Sequence, residues 1–483
     1  MVFNSLTFIA FFCILLVLHY LPLPWKVKKI NLLLASYIFY AAWNPVFILL
    51  LWLSTIVDFF VGKALYEQEN PVKKKFLLVI SLIGNLGMLC FFKYGGFLLE
   101  NFVSIVNLVG IDFHPAKPNI ILPAGISFYT FTTLCYTIDM YRKESKPVKS
   151  ILDFSLFVTF FPHLVAGPIV RPPQLVPQFE TPKSATRSQF IDGLFLLSLG
   201  LFMKVVLADT FLAPSANMIF DAKESLFVLD AWMGVLAFSG QIFFDFAGYS
   251  TCAIGVAACL GFVLPQNFRY PYAAVGFSDF WKRWHITLSQ WLRDYLYIPL
   301  GGSKHGIGST YMNLMITMLL GGLWHGAKWT FVVWGGLHGI YLAIERWIES
   351  RKTKSEPDVL VTNQLNTNSF FSINFLKALA TFMLINITWV FFRSEDFHAA
   401  WQMLTSMFDF SLSGKVMMNY LDFMKVGIIT VCMLIFHWLF RNTEVLIEVR
   451  KWPWWLTSLL WAFLVLSVIF SQESTSSFIY FQF

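Results

Sequence analysis

Residues 309–345, STYMNLMITMLLGGLWHGAKWTFVVWGGLHGIYLAIE, decide the class of fold. A stretch this long and this apolar matches what a bilayer asks of a spanning helix, about 20 residues. Comparable runs fall near 3–22, 30–62, 76–109, 116–140, 188–213, 229–264, 372–393, 421–440 and 453–471. Some must hold two passes, so the sequence predicts an all-α polytopic membrane protein with roughly eleven or twelve crossings. Composition agrees: of 483 residues, 57% are hydrophobic and only 13% charged. No internal repeat is visible, which argues against the inverted-repeat build of many transporters.

Charge sets the orientation. Phe3 to Leu21 has an apolar core but no basic n-region and no small-residue cleavage site, and Lys26, Lys28 and Lys29 follow it. It therefore reads as a retained helix with its N-terminus outside and its basic end inside. Clusters at Lys73–Lys75, Arg142–Lys149, Arg269–Lys304, Arg346–Lys354 and Asn442–Lys451 can all lie inside, which places the C-terminus outside as well. The net charge of +7 is thus a topology signal, not a nucleic-acid footprint. The six cysteines, at 13, 90, 135, 252, 259 and 432, stand singly in apolar context. They read as small core residues, with neither disulfides nor a metal site indicated.

The polar segment 349–370 reads as a linker between a motif-rich body, 1–348 and densest from 120, and a plainer C-terminal group, 371–483. Prolines 162, 168, 172, 173 and 177 forbid a straight spanning helix over 150–187 and predict interfacial or re-entrant backbone.

The opening stretch also holds Trp324-His325, and a second pair, Trp284-His285, lies in PQNFRYPYAAVGFSDFWKRWHITLSQWLRDYLYIPLGG (265–302), a segment too charged to span. An imidazole in or beside hydrocarbon is costly enough to suggest a task. Spacing within 265–302 predicts an amphipathic helix capped by Ser278. Trp281, Trp284, His285, Leu288, Trp291, Leu292 and Tyr295 lie on its apolar face; Lys282, Arg283, Gln290, Arg293 and Asp294 lie opposite. A plain interfacial anchor would have the same look, except that it has no use for a buried histidine.

His325 sits among Gly321, Gly322 and Gly326, where backbone or ligand can come close, with Trp324 and Trp329 as walls. A neutral imidazole there can take the proton of a hydroxyl attacking an acyl thioester; the bland alternative is a core histidine. His338 follows thirteen residues later. On one continuous helix that is about 20 Å of rise, so His338 reads as structural unless the helix breaks between them. Gln241, Asp245 and Tyr249 line one face of an apolar helix, with Asp245 expected to fix a neighbouring Arg or His. The other histidines have no evident partners, and no soluble-enzyme signature appears.

Ordered landmarks carry a resemblance over nearly the whole chain: PAGISFYTF (123–131), YTIDMYR (136–142), FFPHLVAGPIVRPPQ (160–174), QIFFDFAGYS (241–250), 267–302, GGLWHGAKWTFVVWGGLHG (321–339) and ITWVFFR (387–393). The sequence resembles the membrane-bound O-acyltransferases, in the bacterial branch of the alginate O-acetyltransferase membrane subunit. That resemblance implies a helical bundle around a tunnel, with the family's essential histidine at His325 and a second tunnel histidine at His285. It implies acetyl-CoA as donor at the cytoplasmic face of the bacterial inner membrane, where Arg269, Lys282, Arg283, Arg293 and Lys304 would attract its phosphates. Trp281, Trp284, Trp324, Asp294 and the 241–249 face would line the path. No bound cofactor is implied.

The resemblance further implies an extracytoplasmic partner related to SGNH hydrolases, which would pass the acetyl group to a polysaccharide such as alginate, cellulose or peptidoglycan. The tail SSFIYFQF resembles the acyl-accepting C-terminal motif of a small D-alanylation peptide and makes Tyr480 a candidate acyl carrier. D-alanyl transfer to teichoic-acid-type acceptors and a transporter without acyl transfer are the competing expectations.

Overall fold

The computed structural model describes residues 1–116, 118–352, 372–411 and 413–471. These residues are helical and hold no strand. They divide into two compact units, Met1–Leu197 with Tyr249–Pro265, and Ser198–Gly248 with the residues from Gln266 on.

The first unit contains α1 (Leu6–Tyr20), α2 (Trp25–Ala41), α3 (Ile48–Glu67), α4 (Pro71–Leu89), α5 (Gly95–Leu108) and α6 (Ile126–Arg142). It continues through α7 (Ile151–Thr159), α8 (Phe161–Leu164), α9 (Pro172–Glu180) and the first part of α10 (Arg187–Leu201). Local chemistry sets the ends: the Ser5 side chain accepts from the Phe8 amide, and Asn70 accepts from Val72 and Lys73 ahead of Pro71. Three short helices stand where the prolines forbade a long one. Gly62 of α3 lies on the Tyr136 ring of α6, where an added Cβ would come within 2.2 Å. The buried Asp58 is satisfied between helices, accepting from Ser81 Oγ at 2.6 Å and Asn85 Nδ2 at 2.7 Å.

The second unit takes the rest of α10, which passes through the wider turns of Phe202–Leu212 into α11 (Ala213–Phe220). Next come α12 (Val228–Cys259), shared with the first unit, then α13 (Phe277–Trp281), α14 (Ile286–Leu292), α15 (Ile307–His325) and α16 (Trp329–Lys352). The last helices are α17 (Ile373–Arg393), α18 (Phe397–Phe408), α19 (Tyr420–Phe440), α20 (Val445–Val449) and α21 (Trp454–Phe470). α15 and α16 form a tight antiparallel hairpin made possible by two glycines. A Cβ on Gly322 would meet Phe331 O at 2.3 Å, and one on Gly335 would meet Met318 O at 2.2 Å.

Among the described residues, six helical segments are long and apolar enough to cross a bilayer: Pro45–Glu67, Pro71–Leu108, Arg187–Phe220, Val228–Cys259, Ile373–Arg393 and Tyr420–Phe440. Two shorter apolar helices, Leu6–Tyr20 and Trp454–Phe470, join them. This is a multi-pass membrane protein. The opening stretch is divided into α15 and α16 by a three-residue turn.

Two expectations need correction. Ser278 does not cap one long amphipathic helix, since the segment breaks after Trp281 and restarts at Ile286. The cysteines are not all core residues: Cys13, Cys90 and Cys432 lie on exposed apolar helix faces.

Candidate functional site

His285 occupies the break. Its backbone is left-handed, φ 41° and ψ 55°, a conformation that a side chain of this size adopts only when its surroundings impose it. Two main-chain hydrogen bonds do so, Arg269 N to Arg283 O at 2.9 Å and Ile286 N to Asn267 O at 2.8 Å. The ring is fully buried, edge-on to Phe246 of α12 at 4.7 Å and stacked over Phe268 at 6.3 Å. Its Nδ1 lies 3.1 Å from Asn267 Oδ1. Burial pushes the imidazolium down to about 3, so the ring is neutral at physiological pH.

The second histidine ends α15, at the tip of the hairpin. His325 is packed by Trp324 at 5.0 Å, Trp334 of α16 at 5.0 Å and Phe392 of α17 at 5.4 Å. Trp324 also lies 5.9 Å from His285, so the two predicted histidines meet across one indole. On the far side of Trp334 sits His338, ring to ring at 4.8 Å. The helix does break between His325 and His338, and α16 folds back to bring the third imidazole into the same row. Its Nε2 lies 3.1 Å from Thr388 Oγ1, whose own proton goes to Ile385 O. His338 must then donate from Nε2.

Three buried imidazoles are thus packed among indoles, and comparison with known proteins names the chemistry. The profile of the membrane-bound O-acyltransferase family matches residues 141–392, which enclose all three histidines. The chain belongs to the membrane-bound O-acyltransferase family. It is 40% identical over 412 residues to the probable alginate O-acetylase of Pseudomonas aeruginosa, covering 85% of this chain and 75% of that protein. It is 38% identical over 409 residues to the peptidoglycan O-acetyltransferase of Helicobacter pylori, covering 78% and 73%. The teichoic acid D-alanyltransferase of Bacillus subtilis is more distant, 26% identical over 302 residues and 59% of this chain.

This O-acyltransferase spreads the remaining predicted residues over distinct settings. Trp284 is fully buried, stacked on Phe280 and packed against Trp389. Trp281 is half-buried and stands against Trp334 and His338. Arg283 is a tie-bar within the fold: it pairs with Asp279 at 2.8 Å and donates to the carbonyls of Arg441 and Arg269. Arg293 is exposed and pairs with the adjacent Asp294 at 2.6 Å. Arg269, Lys282 and Lys304 are exposed.

Gln241 and Asp245 are buried on α12, and Tyr249, further along, packs against Phe3 in the first unit. Asp245 pairs with Lys204, which also holds Asp209 at 2.8 Å. Lys204 had a signal in the sequence, a lone cation inside the apolar run 188–213. Asn267 had none, because its partner is 18 positions away. Tyr480 lies outside the described residues.

Proposed function

We propose that this O-acyltransferase accepts an acetyl group from acetyl-CoA on the cytoplasmic side of the bacterial inner membrane. It delivers that group outward for O-acetylation of a cell-surface or exported polysaccharide. The observation that carries the reading is the buried row His285, Trp324, His325. The names of the relatives, an alginate O-acetylase and a peptidoglycan O-acetyltransferase, support acetyl as the group moved.

In the proposed step His325 takes the proton of an attacking hydroxyl while its oxygen forms a bond to the thioester carbonyl carbon. The tetrahedral adduct collapses, the carbon–sulfur bond breaks, and the thiolate leaves with the proton returned from the imidazolium. General-base assistance of this kind is worth about 10²–10⁴-fold. His285, neutral and desolvated, is assigned to the same path. The exposed Arg269, Lys282, Arg293 and Lys304 are assigned to the donor's phosphates. Arg283 leaves that set because its side chain is largely buried and tied to Asp279 and two carbonyls.

The polymer would be reached through a separate extracytoplasmic acetyltransferase of SGNH-hydrolase type, with both termini of this chain on that side. Tyr480 is assigned as an acyl carrier, which acetylation of the C-terminal peptide, read by mass spectrometry and lost with His325→Ala, would support.

The test of the reading is polymer acetylation in cells carrying His325→Ala, with the variant's membrane abundance measured alongside. Undiminished acetylation would remove His325 from the chemistry. Release of free thiol from acetyl-CoA, set against turnover of a D-alanyl carrier, separates acetyl from D-alanyl transfer.

A further inference from the structure

We infer that Asn267 is the positioning residue for His285, locking the imidazole in its Nδ1–H tautomer and leaving the basic lone pair on Nε2. The inference rests on the proposed role of His285 in acyl transfer. Three donors converge on one oxygen. Asn267 Oδ1 lies 3.2 Å from the Thr287 backbone nitrogen, 2.9 Å from Thr287 Oγ1 and 3.1 Å from His285 Nδ1. A backbone N–H can only donate, so the atom it meets is the carboxamide oxygen and not its NH₂. An oxygen with no proton can only accept, so His285 Nδ1 carries the hydrogen. The proton-accepting nitrogen is therefore Nε2, on the opposite edge of the ring.

Asn267 is 1% exposed, and its main-chain oxygen also accepts from Ile286, so the same residue fixes the ring's chemistry and its strained backbone. Its Nδ2, buried and without a hydrogen-bond partner, is a donor beside this ring that folding does not use. A partner that sets which nitrogen is basic raises the fraction of enzyme ready to take a proton, as the buried acid does for the histidine of serine proteases.

A purely structural Asn267 would influence abundance but not the pH profile, and this separates the two. Phe246, Phe268 and Trp324 pack against the His285 ring, and none of them titrates. His325, which can titrate, packs against the same Trp324 ring. Asn267→Asp keeps the acceptor for all three donors and adds a negative charge, which favours the imidazolium. The basic form is lost as pH falls through the pKa, so the acid limb of the rate moves to higher pH.

The assay is thiol release from acetyl-CoA by membranes containing the full-length chain and its partner system, across pH and normalised to abundance. For Asn267→Asp the expected result is a loss of about tenfold or more at mildly acid pH, where the parent, whose His285 titrates far lower, keeps its rate. Thr287→Val, which keeps the backbone donor, should lose less than about tenfold. Should Asn267→Asp fail to accumulate, Asn267→Ser gives the second reading. Its hydroxyl can donate or accept, so the lock relaxes and kcat falls with KM unchanged. An abundant Asn267→Asp with the parental profile, or an Asn267→Ser with parental kcat, overturns the inference. A fully active His285→Asn would instead remove the underlying role of His285.

Discussion

Gly335→Ala tests whether the hairpin's close packing sets the chemistry. The added methyl would lie 2.2 Å from the carbonyl oxygen of Met318, about 1 Å short of the ordinary contact distance of 3.4 Å. The obstruction is backbone, so no side-chain rotation relieves it and α16 must move relative to α15 by about that amount. Overpacking of this kind costs about 1–3 kcal/mol. The larger effect falls on the row of rings, because Trp334, next in sequence, packs against both His325 and His338. A misplacement of about 1 Å at a reacting group costs around 10²-fold in rate.

The matched control is Gly336→Ala, one residue on, whose Cβ would meet only the tip of Leu319 at 3.4 Å. Acyl transfer by membranes, normalised to the amount of each variant by immunoblot, should fall about a hundredfold for the first and stay near parental for the second. Equal activity in the two variants would refute the claim that helix spacing positions the histidine row.

Lys204→Met should lower the detergent melting temperature sharply. It leaves Asp209 and Asp245 buried without their cation, a change that costs about 3–5 kcal/mol when one partner of a buried pair is removed; adding Asp209→Asn and Asp245→Asn should recover much of it. Arg283→Ala should reduce the yield of folded protein while the KM for acetyl-CoA holds, since its guanidinium ties three segments together. Lys282→Ala with Lys304→Ala should do the reverse, raising KM with abundance unchanged and more so at low ionic strength. Rates at mildly acid pH should show no loss traceable to His285, whose burial pushes its pKa to about 3. A parental acid limb abolished by His285→Asn would contradict that.

Reading the sequence reached far where the physics is local. Apolar length predicted a multi-pass helical membrane protein, the prolines between 162 and 177 ruled out a straight spanning helix there, and an imidazole beside hydrocarbon marked His285 and His325. The failures were non-local. Trp281, Trp284 and Leu288 keep helical spacing, yet the helix ends between them because Asn267, a distant residue, offers the Ile286 and Thr287 amides the acceptors that helix would have supplied. His338 looked remote for the same kind of reason. Nothing before the fold reveals that Gly326–Lys328 is a turn, or that Gly322 and Gly335 let the second helix return against the first. Asp245 advertised a buried charge, but only packing names its partner as Lys204.

That lysine has a consequence for how the protein is made. Lys204 and Asp209 sit on one apolar segment, Arg187–Phe220, whereas Asp245 arrives on the next long one, Val228–Cys259. A charged side chain at mid-helix resists lateral release from the insertion machinery by about 2.5–3.5 kcal/mol. The first segment can offset its lysine with its own acid, but the second brings an acid whose partner is already upstream. The pair therefore favours release of the two segments together, making biogenesis of the enzyme's middle a joint event.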